Sequence, residues 1–155
     1  MTATILRSVR DDDWDGILAL ATASVAHVPE AGSQEEWHRN RRQFDERAHV
    51  RRQFVAVPPE DGSLLGYGAV ESQTARDFRL FVVTRPNHLA TVGALLYDRA
   101  MRSLYDLGAR GAWCTEYARD EPLLEFFRAR DFREVRRFPV APGVDAVTLA
   151  KKCAW

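Results

Sequence analysis

The chain has 155 residues, 46% of them hydrophobic, which suits one globular domain spanning 1–155 with a full core. Lys and Arg number 22 and Asp and Glu another 22, so the formal net charge is zero. That balance argues against a broad polyanion-binding face, and hence against a nucleic-acid partner. No apolar run approaches the ~20 residues that cross a bilayer, so no membrane association is expected. The first residues lack a basic stretch followed by an apolar one, so no leader is expected either. Cys114 and Cys153 form no metal-type or redox motif, which favours a reduced, cytoplasmic setting. The histidines, His27, His38, His49 and His88, are scattered, and no metal site is expected.

In chain order, "TILRSV" alternates and reads as a first strand. "DDDWDGILALATASVAH" opens with acidic residues suited to a helix N-terminus, and Trp14, Ile17, Leu18, Ala21 and Val25 share one helical face. "SQEEWHRNRRQFDER" begins with Ser33 and Glu36 at capping-box spacing and predicts a second, mostly polar helix carrying Trp37 and Phe44. "RQFVAVPP" and "SLLGYGAVES" read as an antiparallel hairpin around "PPEDG", and "DFRLFVV" as the next strand.

A third helix is expected from about Thr91 to Leu107, with Val92, Leu95, Leu96, Ala100, Leu104 and Leu107 at helical spacing and Gly108 as its stop. "GAWCTEYA" is a further strand. "DEPLLEFFRARDF" is a short helix with Pro122 in its first turn, and "FREVRRFPV" and "DAVTLAKK" form a closing pair around "APG". The strand–helix–strand run in the middle implies one parallel crossover inside an otherwise antiparallel sheet. The class is mixed α/β: a twisted, mostly antiparallel sheet of about seven strands flanked by about four helices.

The stretch "VVTRPNHLATVGALL" runs from a strand end through a proline-marked turn into a helix. It suits either a phosphate cradle or a plain corner between two elements. The first backbone N–H groups of a helix have no partner within it, and the helix dipole adds about half a positive charge there. An anion can sit on them. Thr91 removes a glycine's freedom at one position, but its hydroxyl can cap the helix or donate to a phosphate oxygen.

The order of elements and their local motifs resemble the GNAT superfamily of acyl-CoA-dependent N-acyltransferases over nearly the whole chain. The family's Q/R-x-x-G-x-G/A motif is matched by "HLATVG", with His88 at the Arg/Gln position, Thr91 at the first glycine and Gly93 at the second. The late N-x-x-A-x-x-x-Y-x-x-x-G-F pattern is matched by "DEPLLEFFRARDF", with Asp120 for Asn, Phe127 for Tyr and Asp131-Phe132 for Gly-Phe.

The resemblance implies a fold, a cofactor (acetyl-CoA or another acyl-CoA) and a reaction, transfer of the acyl group to a primary amine of a small molecule or peptide by direct attack. It places the pantetheine arm along Phe81, Val82 and Val83, where the strand splays from its neighbour, with the Val83 N–H near the thioester carbonyl. The turn from His88 through Leu89, Ala90, Thr91, Val92, Gly93 and Ala94 would take the pyrophosphate, with Asp120 and Phe127 also beside the cofactor. A carboxylate is the expected base, with Glu71 ranked ahead of Asp77 and Glu116.

The family's tyrosine proton donor is Phe127 here, which has no proton to give; Tyr117, the Cys114 thiol or water would have to replace it. Three residues apart on a strand, Cys114 and Tyr117 face opposite sides. Trp14, Trp37, His38, Phe44, Tyr67 and Glu71 are the expected acceptor walls. Trp155 either marks a homodimer contact or packs on its own domain. The departures at His88, Thr91 and Phe127 leave a second reading open, a GNAT-fold ligand-binding or interaction module with impaired catalysis.

Overall fold

The computed structural model describes residues 3–24, 50–60, 63–72, 74 and 76–155. In chain order the elements are β1 (Ile5–Ser8), α1 (Trp14–Ser24), β2 (Arg51–Val57), β3 (Gly66–Ser72), β4 (Asp77–Thr84), α2 (Ala94–Asp106), β5 (Gly111–Tyr117), α3 (Glu121–Arg128), β6 (Arg133–Ala141) and β7 (Val144–Lys152). The helix expected over "SQEEWHRNRRQFDER", with Trp37, His38 and Phe44, lies outside the described residues.

All seven strands form one sheet in the order β1-β2-β3-β4-β5-β7-β6. Five neighbouring pairs are antiparallel, and β4–β5 alone is parallel. The parallel pair follows from connectivity, because α2 carries the chain back across the sheet before β5 begins. The expected mixed sheet with one crossover is what forms.

Alternation along the strands sends side chains to two faces. One face packs under α1, where Ile17 and Leu20 meet Val55, Val57, Tyr67, Ala69 and Phe81. The other packs under α2 and α3 and holds the larger core, including Phe54, Val70, Leu80, Val82, Leu96, Leu104, Leu124, Phe127 and Leu149. The acidic run before α1 has a specific use. Asp13 accepts two hydrogen bonds from the Arg7 guanidinium, at 2.7 and 2.9 Å, and one from the Arg10 backbone N–H at 2.7 Å. These tie the start of α1 to β1 and hold the Asp13 carboxyl below the usual carboxylate range, the Arg7 hydrogen bond being the main cause.

The third expected helix forms, its first turn of π type and its regular α part after it. A 3₁₀ turn over Pro86–His88 and a wide π-type turn over Leu89–Gly93 precede α2. Its buried side is Leu96, Tyr97, Ala100, Ser103 and Leu104, whereas Leu95 is 42% exposed. The helix lies close over β3 because Gly66 has no Cβ; one built there would come within 2.6 Å of Leu96 Cδ1 and 3.0 Å of Val92 Cγ1.

Gly108 ends the helical segment at φ 69°, as expected, and Gly143 turns the β6–β7 hairpin at φ 72°. Asp120 caps α3 through a 3.3 Å bond accepted from the Leu123 N–H, and Asp131 takes the left-handed angle after it, at φ 69°. Trp155 donates its ring N–H to the Ala109 carbonyl at 2.8 Å and meets Tyr105 edge-on, so it packs on its own chain.

Candidate functional site

The β4–β5 ladder has three rungs, Asp77↔Gly111, Phe78↔Ala112 and Arg79↔Trp113, and then stops. Both strands continue, β4 to Thr84 and β5 to Tyr117. Beyond Arg79 they therefore part, and the backbone groups of Leu80–Thr84 that point toward β5 have no ladder partner there. On its other edge β4 stays fully paired with β3, up to Gly66↔Thr84, which holds the open edge straight. The result is a wedge-shaped gap in the middle of the sheet. Its β4 side leads directly into the turn at Pro86–Gly93.

Extending the ladder's offset places Thr115, Glu116 and Tyr117 level with Phe81, Val82 and Val83 across the gap. Glu116 shares a face with Cys114, toward α2 and α3, while Thr115 and Tyr117 face the α1 side. Cys114 is fully buried in the larger core and Tyr117 is half-buried, so the expected opposition of the two holds. Burial pushes the half-buried Glu116 carboxyl up to about 8; the negative charge of Asp120 adds to this and the Arg79 guanidinium opposes it. The Asp120 carboxyl is itself raised by burial, against the hydrogen bond it accepts from the Leu123 N–H.

Two of the three candidate carboxylates lie elsewhere. Asp77 is on the first rung, exposed, where its backbone N–H and its carboxylate both bond the Thr74 hydroxyl at 3.3 Å. Six residues of strand put it roughly 20 Å from Val83. It closes a turn at the joined end of the gap and cannot reach an amine at the open end. Glu71 pairs in register with Arg51 on one side and Arg79 on the other. Because β3 runs antiparallel to β4, its end lies beside the start of β4, roughly 13 Å of strand from Val83. Only Glu116 stands on the gap itself.

The turn residues divide by exposure. Ala90 and Thr91 are exposed, and His88, Leu89 and Ala94 are half-buried. Val92 and Gly93 are buried. A Cβ on Gly93 would meet Leu89 Cδ1 at 2.9 Å and Phe126 Cε2 at 3.6 Å. The tight contact is with the Leu89 side chain of the same turn, while Phe126 of α3 stands at ordinary packing distance. The Thr91 hydroxyl donates to the His88 carbonyl at 3.3 Å, inside the turn rather than as its cap. The His88 Nδ1 is buried with no hydrogen-bond partner among the described residues.

Phe127 is fully buried among Phe126, Phe132 and Tyr97, with ring centroids 5.5, 5.1 and 6.5 Å away. Its ring is core and reaches no open surface. Asp120 stays near the gap through Glu116 but is committed to capping α3.

Of the expected acceptor walls, the Trp14 and Tyr67 rings meet at a tilt of 55° with centroids 6.0 Å apart, and Tyr67 is level with Val83. Tyr67 is fully buried and its hydroxyl donates to Gln53 Oε1 at 3.3 Å. Sequence reasoning passed over Arg79. Its guanidinium lies over the Phe81 ring at 4.5 Å and the Trp113 ring at 5.4 Å, at the point where the gap opens. The alternation in "DFRLFVV" places Arg79 beside Phe81, but the Trp113 contact depends on a pairing 34 residues away in sequence.

An open parallel pair followed by a helix N-terminus has the donors for a pantetheine amide chain and a pyrophosphate. The unpaired β4 edge and the orphaned His88 Nδ1 fit such a ligand. Comparison with solved structures gives the same architecture. A protein from Desulfovibrio desulfuricans, assigned to the GNAT family of acetyltransferases, superposes with a TM-score of 0.74 at 16% identity over 97% of this chain and 99% of its own. A structure assigned as a phosphinothricin N-acetyltransferase gives 0.75 at 20% identity, over 99% and 100%. The spermidine N-acetyltransferase of Vibrio cholerae, in complex with CoA and spermine, gives 0.68 at 15%, over 96% and 95%. No family model and no curated protein sequence matches the chain. The fold is that of the GNAT N-acetyltransferases.

Proposed function

We propose that the protein transfers an acyl group from acetyl-CoA or another acyl-CoA to a primary amine. The observation that carries the reading is the β4–β5 ladder, which stops at Arg79↔Trp113 and leaves an open edge running into an exposed helix start. A bound acyl-CoA supplies an activated acyl carbonyl. The alternate backbone amides of Leu80–Thr84 that face the gap hold the pantetheine arm, and one of them steadies negative charge on that carbonyl. The first-turn N–H groups around Ala90 and Thr91 take the pyrophosphate, with the His88 ring beside them.

Glu116 handles the proton in this account. With its carboxyl pushed up to about 8, it is mostly neutral at physiological pH and can hand a proton to the departing sulfur as the C–S bond breaks, while the nitrogen that forms the new C–N bond releases its proton to water and Glu116 regains one from solvent. That supplies what Phe127 lacks. Tyr117, level with Val83 and on the face opposite Glu116, is positioned to hydrogen-bond the incoming amine. The acceptor enters from the α1 side, past Trp14. Cys114 and Cys153 are unpaired, which suits a reducing, cytoplasmic setting.

Calorimetry with acetyl-CoA tests the cofactor assignment. Wild type should bind saturably, and Thr91→Glu should bind at least about tenfold more weakly, because a carboxylate then faces the pyrophosphate. Absence of binding at millimolar ligand overturns the reading. The second reading, a binding module without catalysis, draws on the core position of Phe127, which removes the customary proton donor. Acetyl-CoA binding without thiol release would select it.

A further inference from the structure

Arg79 occupies an unusual place for a cation. Its side chain shares the α1 face with Phe81 and Val83 on its own strand, and with Trp113, Thr115 and Tyr117 across the gap. The guanidinium lies over two aromatic rings, one on each strand, and so spans the apex of the wedge. Its Nε is buried and donates to no partner among the described residues. Glu71 is directly opposite on β3, yet the guanidinium is turned over the rings. Ring faces return part of the desolvation of a cation but accept none of its N–H hydrogen bonds in plane. The remaining donors suit a planar, bidentate oxyanion.

Position gives that oxyanion a role. Arg79 lies four residues, roughly 13 Å of strand, before Val83, and its side chain covers part of that distance by lying over the Phe81 ring. The remainder suits a carboxylate separated from its amino group by several bonds. The strip beyond Arg79 on this face is polar: Thr115 and Thr148 share a 2.9 Å hydroxyl contact, and Tyr117 follows. Glu71 on β3 is the carboxylate in register with Arg79 on this face, and on the gap strands the α1-side positions after Arg79 are Phe81, Val83, Thr115 and Tyr117.

We propose that Arg79 is a specificity-determining residue for the acceptor, and that the acceptor is a small amine carrying a carboxylate, held by the guanidinium while its amino group reaches the acyl carbon beside Val83. This rests on the acyltransferase reading above. A free amino acid and the terminal carboxylate of a short peptide share this chemistry.

The test uses acetyl-CoA with amino acids, their carboxamides, and short peptides with free or amidated C-termini, following thiol release. The carboxylate members should be favoured roughly 10- to 100-fold in kcat/KM, the usual effect of a charged hydrogen bond. Turnover of the peptides alone would place the carboxylate at a chain terminus; turnover of the amino acids would make the acceptor a free one. Arg79→Gln should abolish the preference through a raised KM, with acetyl-CoA affinity by calorimetry unchanged; Arg79→Lys should keep part of it. Equal use of carboxylates and amides, a preference that survives in Arg79→Gln, or no turnover of any carboxylate amine by protein that binds acetyl-CoA overturns the inference and leaves the cofactor site standing. Loss of acetyl-CoA binding in wild type overturns both.

Discussion

The half-buried Glu116 should make the fold itself pH-dependent. Its carboxyl is raised from an ordinary 4.5 to about 8, chiefly by burial beside the gap. A raised carboxyl favours the folded state only while it is protonated. Below the ordinary value both folded and unfolded chains hold the proton, and the contribution is fully present. As pH rises, the unfolded chain releases its proton first, and stability falls until the folded carboxyl has also ionised. Each pKa unit corresponds to about 1.4 kcal/mol, so the loss between about pH 4 and about pH 9 is on the order of 5 kcal/mol.

Glu116→Gln keeps the shape and removes the titration. Urea denaturation of both proteins across that range, without ligand, reads Glu116 together with its coupling to Asp120 and Arg79, because groups that do not interact with it cancel in the difference. The stability of wild type relative to Glu116→Gln should fall steadily with rising pH and level off beyond about 8. Parallel curves, with a difference constant to within about 1 kcal/mol, would show that Glu116 is not held in a desolvated site and would remove it as proton donor.

Three further outcomes follow from the same structure. The Asp13 carboxylate is buried against Arg7 and its pKa is lowered, so its contribution is present above the ordinary carboxylate range and lost as pH falls through the depressed value. Asp13→Asn should cost about 2–3 kcal/mol at neutral pH by urea denaturation, with the gap to wild type closing in acid. Asp131→Gly should raise stability by about 0.5–1 kcal/mol, since glycine takes φ 69° without strain; a thermal melt checks it. With proton donation from Glu116, kcat for thiol release should decline above about pH 8, and Glu116→Gln should lower kcat by about 10²–10⁴.

Much of the fold was legible because its signals are local. Gly108 and the "APG" turn read as chain punctuation, Asp131 as a stand-in for a left-handed glycine, and strand–helix–strand order as one parallel crossover. Cys114 and Tyr117 were correctly set on opposite faces by strand alternation alone. The site was less legible because it depends on where pairing stops. Asp77 and Val83 share a strand, but only the ladder shows that they lie at opposite ends of the gap. Glu116 gains its place from the same long-range pairing. Helical periodicity puts Leu95 inside, whereas the π-type turn over Leu89–Gly93 that opens the helix leaves it outside. Gly93 resembled a cofactor glycine in its spacing, and packing against Leu89 and Phe126 gives it another reason.

Acyl transfer is tested most directly by incubating the protein with acetyl-CoA and amines and measuring both products. The account predicts free CoA thiol and N-acetylated amine in equal amounts, at a rate that saturates with each substrate. Acetyl-CoA bound at the gap with no thiol release above the amine-free rate, for any amine, would contradict it.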